Sequence, residues 1–203
     1  MDADPGGDGR LARALAAIDA ANADDPHTIA VGGVERPKEQ AHAEMMTRWV
    51  ERLAPGCGDE QLIAARAHHL RRWAIPRDDY PRDRGGYLRW RTALRRQHAD
   101  DVAAIMRDAG YGDGAIARVQ AIVRKQGLGR DPEVQVHEDA LCLVFLETQF
   151  DELTDQVDDE PKMLDILRKT AAKMSPAGLA AAQDLPYSPQ SAALLRRALS
   201  AAS

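Results

Sequence analysis

The chain has 203 residues, a formal net charge of -5 and 44% hydrophobic residues, of which few are aromatic. This length suits one domain with a real core, and no apolar run approaches the roughly 18 residues that a membrane span needs. The N-terminus lacks the apolar core of a signal peptide, so we expect a soluble, cytoplasmic protein whose cysteines, Cys57 and Cys142, stay reduced. The acidic balance argues against a general nucleic-acid binder.

The apolar periodicity and the capping residues predict an all-α fold, with about eight helices in a single domain around a central apolar helix. Residues 1–9 are predicted to be disordered, and residues 24–37 to form a loop. The apolar run LCLVFL belongs to the predicted central helix, which opens at Asp131-Pro132. The predicted helices span residues 9–23, 38–53, 59 to a break at Pro76, 87–109, 113–126, 132–153, 159–174, 175–183 and 188–201.

The stretch Leu62–Arg77 is the most informative part of the chain. Its apolar residues leave almost no polar face, and Asp59 precedes it as a candidate N-cap, which together predict a buried helix. His68 and His69 nevertheless stand side by side in its middle. Because burying polar side chains is costly unless they have partners, these imidazoles are candidate ligands.

Arginine is concentrated in one segment. Ten arginines lie between Arg66 and Arg96, against only three acidic residues, whereas Asp151–Glu160 contains six acidic residues and no base. Since the planar guanidinium group suits bidentate contacts with anions, the arginine-rich segment predicts a local anion site.

Further candidate ligands stand in other predicted helices. His42 lies between two alanines, His98 lies in the fourth helix, and Glu138 and Asp139 directly precede the apolar run. Imidazoles with a carboxylate favour Zn, Mn, Fe or Co. Simpler roles stay open: a buried histidine can bond a backbone carbonyl, and Asp139 can pair with a buried arginine such as Arg66 or Arg72.

The order His42, His68-His69 and then Asp139 resembles the HD superfamily of metal-dependent phosphohydrolases over roughly residues 38–147, with an HD-like core expected at about 38–153. The segment from His98 is similar to the part that carries extra histidines in two-metal HD proteins. His69 stands where that family has aspartate, and Lys125 or Gln126 stands where a second extra histidine would fall. The run HHLRRW with GYLRW and EDALCLVFLE also resembles an uncharacterised domain-of-unknown-function family.

The HD resemblance implies a metal-dependent phosphohydrolase that acts on a nucleotide or other small phosphorylated metabolite, with one or two divalent transition-metal ions (Zn, Mn, Fe or Co). Glu138 is the expected proton acceptor. The implied metal ligands are His42, His68, His69, His98 and Asp139, with His98 either holding a second ion or contacting the substrate. The residues expected to bind phosphate are Arg71, Arg72, Arg77, Arg91 and Lys125.

Two other functions fit the same residues. A non-haem iron oxygenase on an HD-like scaffold would also use His98. A non-catalytic module could instead recognise RNA or an acidic partner through the arginines and interleaved aromatic residues such as Tyr87 and Trp90. We also expect the predicted C-terminal helix to expose Leu194, Leu195 and Leu199, a face through which two subunits could pair as a homodimer.

Overall fold

The chain is helical, which confirms the predicted all-α fold. The computed structural model describes residues 6–156 and 159–200, and within these ranges the only β-structure is one short antiparallel hairpin. The helices are α1 (Gly6–Ala23), α2 (Lys38–Leu53), α3 (Asp59–Arg66), α4 (Arg84–Asp108), α5 (Asp113–Val123), α6 (Pro132–Thr148), α7 (Phe150–Gln156), α8 (Glu160–Ala171), α9 (Pro176–Gln183) and α10 (Pro189–Ser200); the strands are β1 (Thr28–Val31) and β2 (Val34–Pro37).

Capping side chains fix the starts of several helices. The side chains of Asp131, Ser175 and Ser188 each accept a hydrogen bond from a first-turn backbone N–H, at 3.0, 3.1 and 3.2 Å. Each such cap contributes about 1 kcal/mol, and a proline follows each of the three residues, as the sequence predicts. For α3 the prediction was off by one position, because Gly58 is the N-cap and Asp59 is the first helical residue.

The described chain forms two compact units, the first ending at Gln126 and the second beginning at Gly127. In the first unit α3 packs against α1, α2 and α5, and α4 packs against α1 and α5. In the second unit α6 packs against α7 and α9, while α10 packs against α7 and α8. The apolar run of α6 is buried through Leu143, Val144 and Leu146. The single domain over the whole chain stays a prediction.

The helix predicted from Asp59 to Pro76 is much shorter than expected. α3 ends at Arg66, and the chain continues through residues 67–74 in tight turns. Arg71 adopts a left-handed conformation with φ 51°, and its backbone N–H donates to the side-chain oxygen of Asn22 at 3.1 Å. A left-handed residue cannot belong to a right-handed helix, so the chain turns again at Arg71. His69, between the end of α3 and this turn, lies against α2.

The N-terminal segment also differs from the prediction. Residues 1–5, predicted to be disordered, lie outside the described residues, as does position 201 in the predicted last helix, whereas Gly6–Gly9 belong to α1. The predicted loop contains the hairpin, in which Thr28 pairs with Pro37 and Val31 with Val34. Gly32 and Gly33 form its turn with φ values of 58° and 81°, a conformation that two-residue hairpin turns require and glycine adopts without strain.

Two expectations about surfaces have different outcomes. Leu194 and Leu195 are buried, each with 6% of its surface exposed, so the expectation that the last helix exposes them is wrong, while Leu199 is partly exposed and the homodimer stays a prediction. None of the helices in the described ranges has both the length and the apolar character that crossing a membrane requires.

Candidate functional site

Three polar side chains of the first unit converge at the start of α2. Glu39 and His42 lie one turn apart on the same face of that helix, and His69 approaches them from the turn after α3. The Oε2 atom of Glu39 is 3.0 Å from Nδ1 of His69 and 3.6 Å from Nδ1 of His42. One ligand atom from each residue lies within 4.8 Å of the other two, so the group could hold a metal ion. We call these three residues the metal group.

The spacing of the metal group suits a transition metal. Bonds of about 2.0–2.1 Å in a tetrahedral site separate neighbouring ligand atoms by roughly 3.3–3.4 Å. The two distances from Glu39 Oε2, 3.0 and 3.6 Å, lie on either side of that separation. Two imidazoles and one carboxylate are the donors that Zn, Mn, Fe and Co accept, whereas Ca prefers oxygen ligands throughout.

The protonation states within the metal group follow from the hydrogen bonds. Arg72 Nη1 lies 3.3 Å from Nε2 of His69, and since a guanidinium can only donate, this nitrogen must accept. His69 Nδ1 therefore carries the proton and donates to Glu39. Burial lowers the pKa of His69, so the ring is neutral at neutral pH. Burial also opposes the charge of Glu39, but His69 and His42 outweigh it and hold its pKa below the usual value.

His98 lies beside the metal group with one nitrogen prepared to accept. Its ring centre is 5.9 Å from that of His69, and its Nδ1 lies 2.7 Å from the carbonyl oxygen of Leu70. A carbonyl can only accept, so Nδ1 carries the proton and Nε2 keeps a lone pair. That Nε2 is buried without a hydrogen-bond partner among the described residues, in a side chain that is 3% exposed. A backbone carbonyl that fixes the tautomer in this way is typical of metal-binding histidines.

His42 and His68 complete the histidine cluster. The Nε2 atom of His42 is also buried without a hydrogen-bond partner in the described part of the chain, which is unusual for a buried polar atom. His68, predicted as a ligand, is buried, and its ring centre lies 4.0 Å from that of His69. Of the adjacent histidines, His69 therefore belongs to the metal group, and His68 packs against it.

Glu39 also forms part of the wall of a pocket of about 430 Å³. Arg72 spans the wall, with its Nε 3.8 Å from Glu39 Oε1 and its guanidinium 4.8 Å from the ring centre of Trp90. Arg77 is held by the carbonyls of Tyr80 and Pro81, at 2.9 Å each. The pocket is lined by Asp25, Pro26, His27, Lys38, Glu39, Arg72, Trp73, Ile75, Pro76, Arg77, Asp78 and Trp90.

The residues predicted to bind phosphate divide into two groups. Arg72 and Arg77 line the pocket, together with Lys38, which the sequence analysis did not select. Arg71, Arg91 and Lys125 are not among its lining residues: Arg71 forms the left-handed turn, Arg91 donates to the Tyr87 hydroxyl at 3.1 Å, and Lys125 follows α5 in a left-handed conformation with φ 58°.

Glu138 and Asp139 belong to α6 in the second unit. Asp139 accepts hydrogen bonds from the Ser175 backbone at 2.8 Å, the Ser175 hydroxyl at 2.5 Å and the Gln135 amide at 3.0 Å. These contacts attach α6 to the start of α9, which gives the buried carboxylate a structural explanation. Glu138 is buried 4.0 Å from Lys173 Nζ. Their roles as metal ligand and proton acceptor stay predictions.

The alternative partners considered for Asp139 have other contacts. Arg66 Nε lies 3.3 Å from Asp19 Oδ1, and the ion pair of Arg72 is with Glu39. The carboxylate of Asp139 is instead held by a serine and a glutamine.

The sequence analysis missed Glu39, although a signal for it was present. A glutamate three positions before a histidine lies on the same face of a helix one turn away, and this spacing recurs in helical metal sites. Asp25 and His27 were also missed. The spacing Asp-x-His allows the aspartate side chain to bond the backbone two residues later, which is a common turn.

Comparison with known proteins places the chain in a family without assigning it an activity. No curated protein and no solved structure matches the sequence, and the HD-superfamily resemblance stays a prediction. Residues 12–195, most of the chain, match a family described as a domain of unknown function. The chain therefore belongs to the domain-of-unknown-function family DUF4202.

Proposed function

We propose that this protein is a metal-dependent phosphohydrolase that acts on a nucleotide or other small phosphorylated metabolite. One observation carries the proposal: Glu39 belongs both to the metal group and to the wall of a pocket that Lys38, Arg72 and Arg77 also line. An ion held there would lie beside a pocket suited to an anionic substrate.

The charges of the pocket support an anionic ligand. Its acidic residues already have partners, because Asp78 pairs with Arg82 and the Asp25 carboxylate accepts the backbone N–H of Glu39 at 3.0 Å. Glu39 itself faces the two histidines. The cationic groups of Lys38 and Arg77 are therefore the charges that can attract phosphate.

Each part of the site has a role in this reaction. A divalent ion would polarise a phosphoryl oxygen and supply a water of lowered pKa. Glu39, His42 and His69 would hold the ion, and its binding would displace the proton that His69 shares with Glu39. Trp90, whose indole N–H donates to the Ile75 carbonyl at 2.9 Å, keeps Arg72 in place through its ring face.

The test combines metal content with activity. Protein purified without chelators is analysed for bound metals, and phosphate release is measured across nucleotides and sugar phosphates with added Zn, Mn, Fe or Co. Glu39→Gln should reduce both bound metal and activity at least about tenfold, since it removes the charged ligand. Glu44→Gln is the matched control, because Glu44 lies on the same helix, where it pairs with Arg36 at 2.6 Å. A metal-free wild type that is inert with every ion would refute the proposal.

A second candidate has its own supporting observation. Two histidines and one carboxylate are the ligands of the non-haem iron oxygenases, and the metal group has this composition. Bound iron with oxygen uptake that depends on Glu39 would favour an oxygenase. Zinc or manganese as the bound metal, with phosphate release, would favour the hydrolase.

A further inference from the structure

A histidine and a buried carboxylate form a hydrogen-bonded pair at the same pocket. His27 and Asp25 both line it, and the Nδ1 of His27 lies 3.0 Å from Oδ1 of Asp25. The two side chains differ sharply in exposure, 68% for His27 and 1% for Asp25. A solvent-accessible imidazole is thus attached to a fixed acceptor.

Asp25 determines which ring nitrogen of His27 is engaged in a hydrogen bond. Its Oδ1 also accepts the backbone N–H of His27 at 3.0 Å, so this oxygen is oriented as an acceptor. The ring nitrogen beside it, Nδ1, therefore carries a proton and donates to Asp25, and Nε2 is the ring nitrogen on the far side from Asp25. A carboxylate that orients a histidine in this way is a recurring arrangement in proton-transfer catalysis.

The same carboxylate connects His27 to the metal group. The other oxygen of Asp25, Oδ2, accepts the backbone N–H of Glu39 at 3.0 Å, and the carbonyl of His27 accepts the N–H of Lys38 at 2.9 Å. One buried side chain therefore determines the position of the histidine relative to Glu39. The two backbone contacts of Asp25 would be enough for a structural cap. Its additional hydrogen bond to the ring of an exposed histidine is not required for that role.

We propose that His27, held by Asp25, is the general acid of this pocket. The inference rests on the proposed phosphohydrolase function. The oxygen of a water forms a bond to phosphorus, the bond from phosphorus to the ester oxygen breaks, and its electron pair stays on the leaving oxygen. That oxygen takes the proton from Nε2 of His27. The attacking water loses its proton to solvent, and exposed His27 regains one from solvent, so ester and water give alcohol and phosphate.

The experiment compares two leaving groups on the metal-loaded full chain. Phenyl phosphate releases a strongly basic phenolate that needs a proton, whereas 4-nitrophenyl phosphate releases a weakly basic one that does not. His27→Gln should lower kcat/KM for phenyl phosphate about 10²-fold or more, and lower that for 4-nitrophenyl phosphate less than about tenfold. Thr28→Val is the matched control, an exposed neighbour in the same segment that should preserve both rates.

A second variant tests the positioning role of Asp25. Like His27→Gln, Asp25→Asn should lower kcat/KM more for phenyl phosphate than for 4-nitrophenyl phosphate. The thermal unfolding of this variant is also measured, because the buried carboxylate accepts a backbone hydrogen bond from α2. Equal losses on both substrates in His27→Gln, or no loss, would overturn the role of His27 while leaving the hydrolase proposal intact. A wild type that hydrolyses neither ester nor any phosphorylated metabolite would remove the proposed function, and with it the general acid.

Discussion

The sharpest quantitative prediction concerns His98 and the stability of the metal-free protein. Burial, reinforced by nearby His69, lowers the pKa of His98 from its ordinary value near 6.5 to about 3. Between these two pKa values the unfolded chain binds a proton at His98, whereas the folded chain does not. Stability from this source is complete above the unfolded pKa and is lost as the pH falls from about 6.5 toward the folded pKa.

The magnitude follows from the two pKa values. Relative to pH 8, linkage through His98 lowers the free energy of unfolding by roughly 1–2 kcal/mol at pH 5.5 and roughly 2–3 kcal/mol at pH 4.5. His98→Asn removes the titrating ring but retains an N–H that can reach the Leu70 carbonyl. Its deficit in stability relative to wild type should therefore shrink by these amounts as the pH falls.

Urea unfolding of chelator-treated protein at pH 8, 5.5 and 4.5 measures the difference directly. Gln120→Ala is the control: it removes a neutral hydrogen bond to the Ala99 carbonyl, 2.9 Å long and adjacent to His98. That variant should be destabilised by a similar amount at each pH. Parallel stability curves for wild type and His98→Asn would refute the reasoning, since they would mean that His98 binds its proton equally in both states.

The remaining predictions concern metal binding and three structural positions. A metal concentration one hundred times Kd should raise the free energy of unfolding of the wild type by about 2.7 kcal/mol. Thermal unfolding of Glu39→Gln should show no such stabilisation by metal. Asp139→Ala should cost about 2–4 kcal/mol in urea unfolding, because three hydrogen bonds to a carboxylate are lost, and unchanged metal content would identify it as structural. Gly178→Ala should cost about 1–3 kcal/mol, since a Cβ there would lie 2.7 Å from Asp139 Cγ; a neutral result would contradict that crowding. Lys125→Gly should raise the free energy of unfolding by about 0.5–1 kcal/mol, because glycine adopts the left-handed conformation without strain. A lower midpoint of urea unfolding would contradict this.

The helices were predictable where local chemistry decides them. α2 begins and ends at the predicted residues, and Asp131-Pro132 opens α6 as expected, because caps and prolines act within one turn. The end of α3 was not predictable in this way. The turns that follow it include a contact with the side chain of Asn22, 49 residues before Arg71, which accepts the N–H of Arg71. No local pattern contains that contact.

The site was predictable in part for the same reason. His42 and His69 were selected as polar residues in apolar helices whose order resembles the HD superfamily, and Arg72 and Arg77 as members of an arginine-rich segment. Glu39 was not, since a glutamate in the first turn of a helix is ordinary, and its burial depends on His69, 30 residues later. The contacts of Asp139 were equally beyond a local pattern, because its hydrogen-bond partner, Ser175, is 36 residues away; its role as a ligand stays a prediction.

The metal group and most of the pocket come from two segments, residues 25–42 and residues 67–78, and Trp90 of α4 completes the pocket wall. The first contributes a cation, a proton-transfer pair and two metal-group residues around the start of α2, where Asp25 holds both Glu39 and His27. The second contributes His69 and the pocket arginines only because the chain leaves the helix before Arg71. Had α3 continued, residues 69 and 72 would follow the helix instead of turning to α2. The early end of α3 at Arg66 therefore matters for chemistry as well as for shape, because the turns after it bring an imidazole and a guanidinium to the same carboxylate.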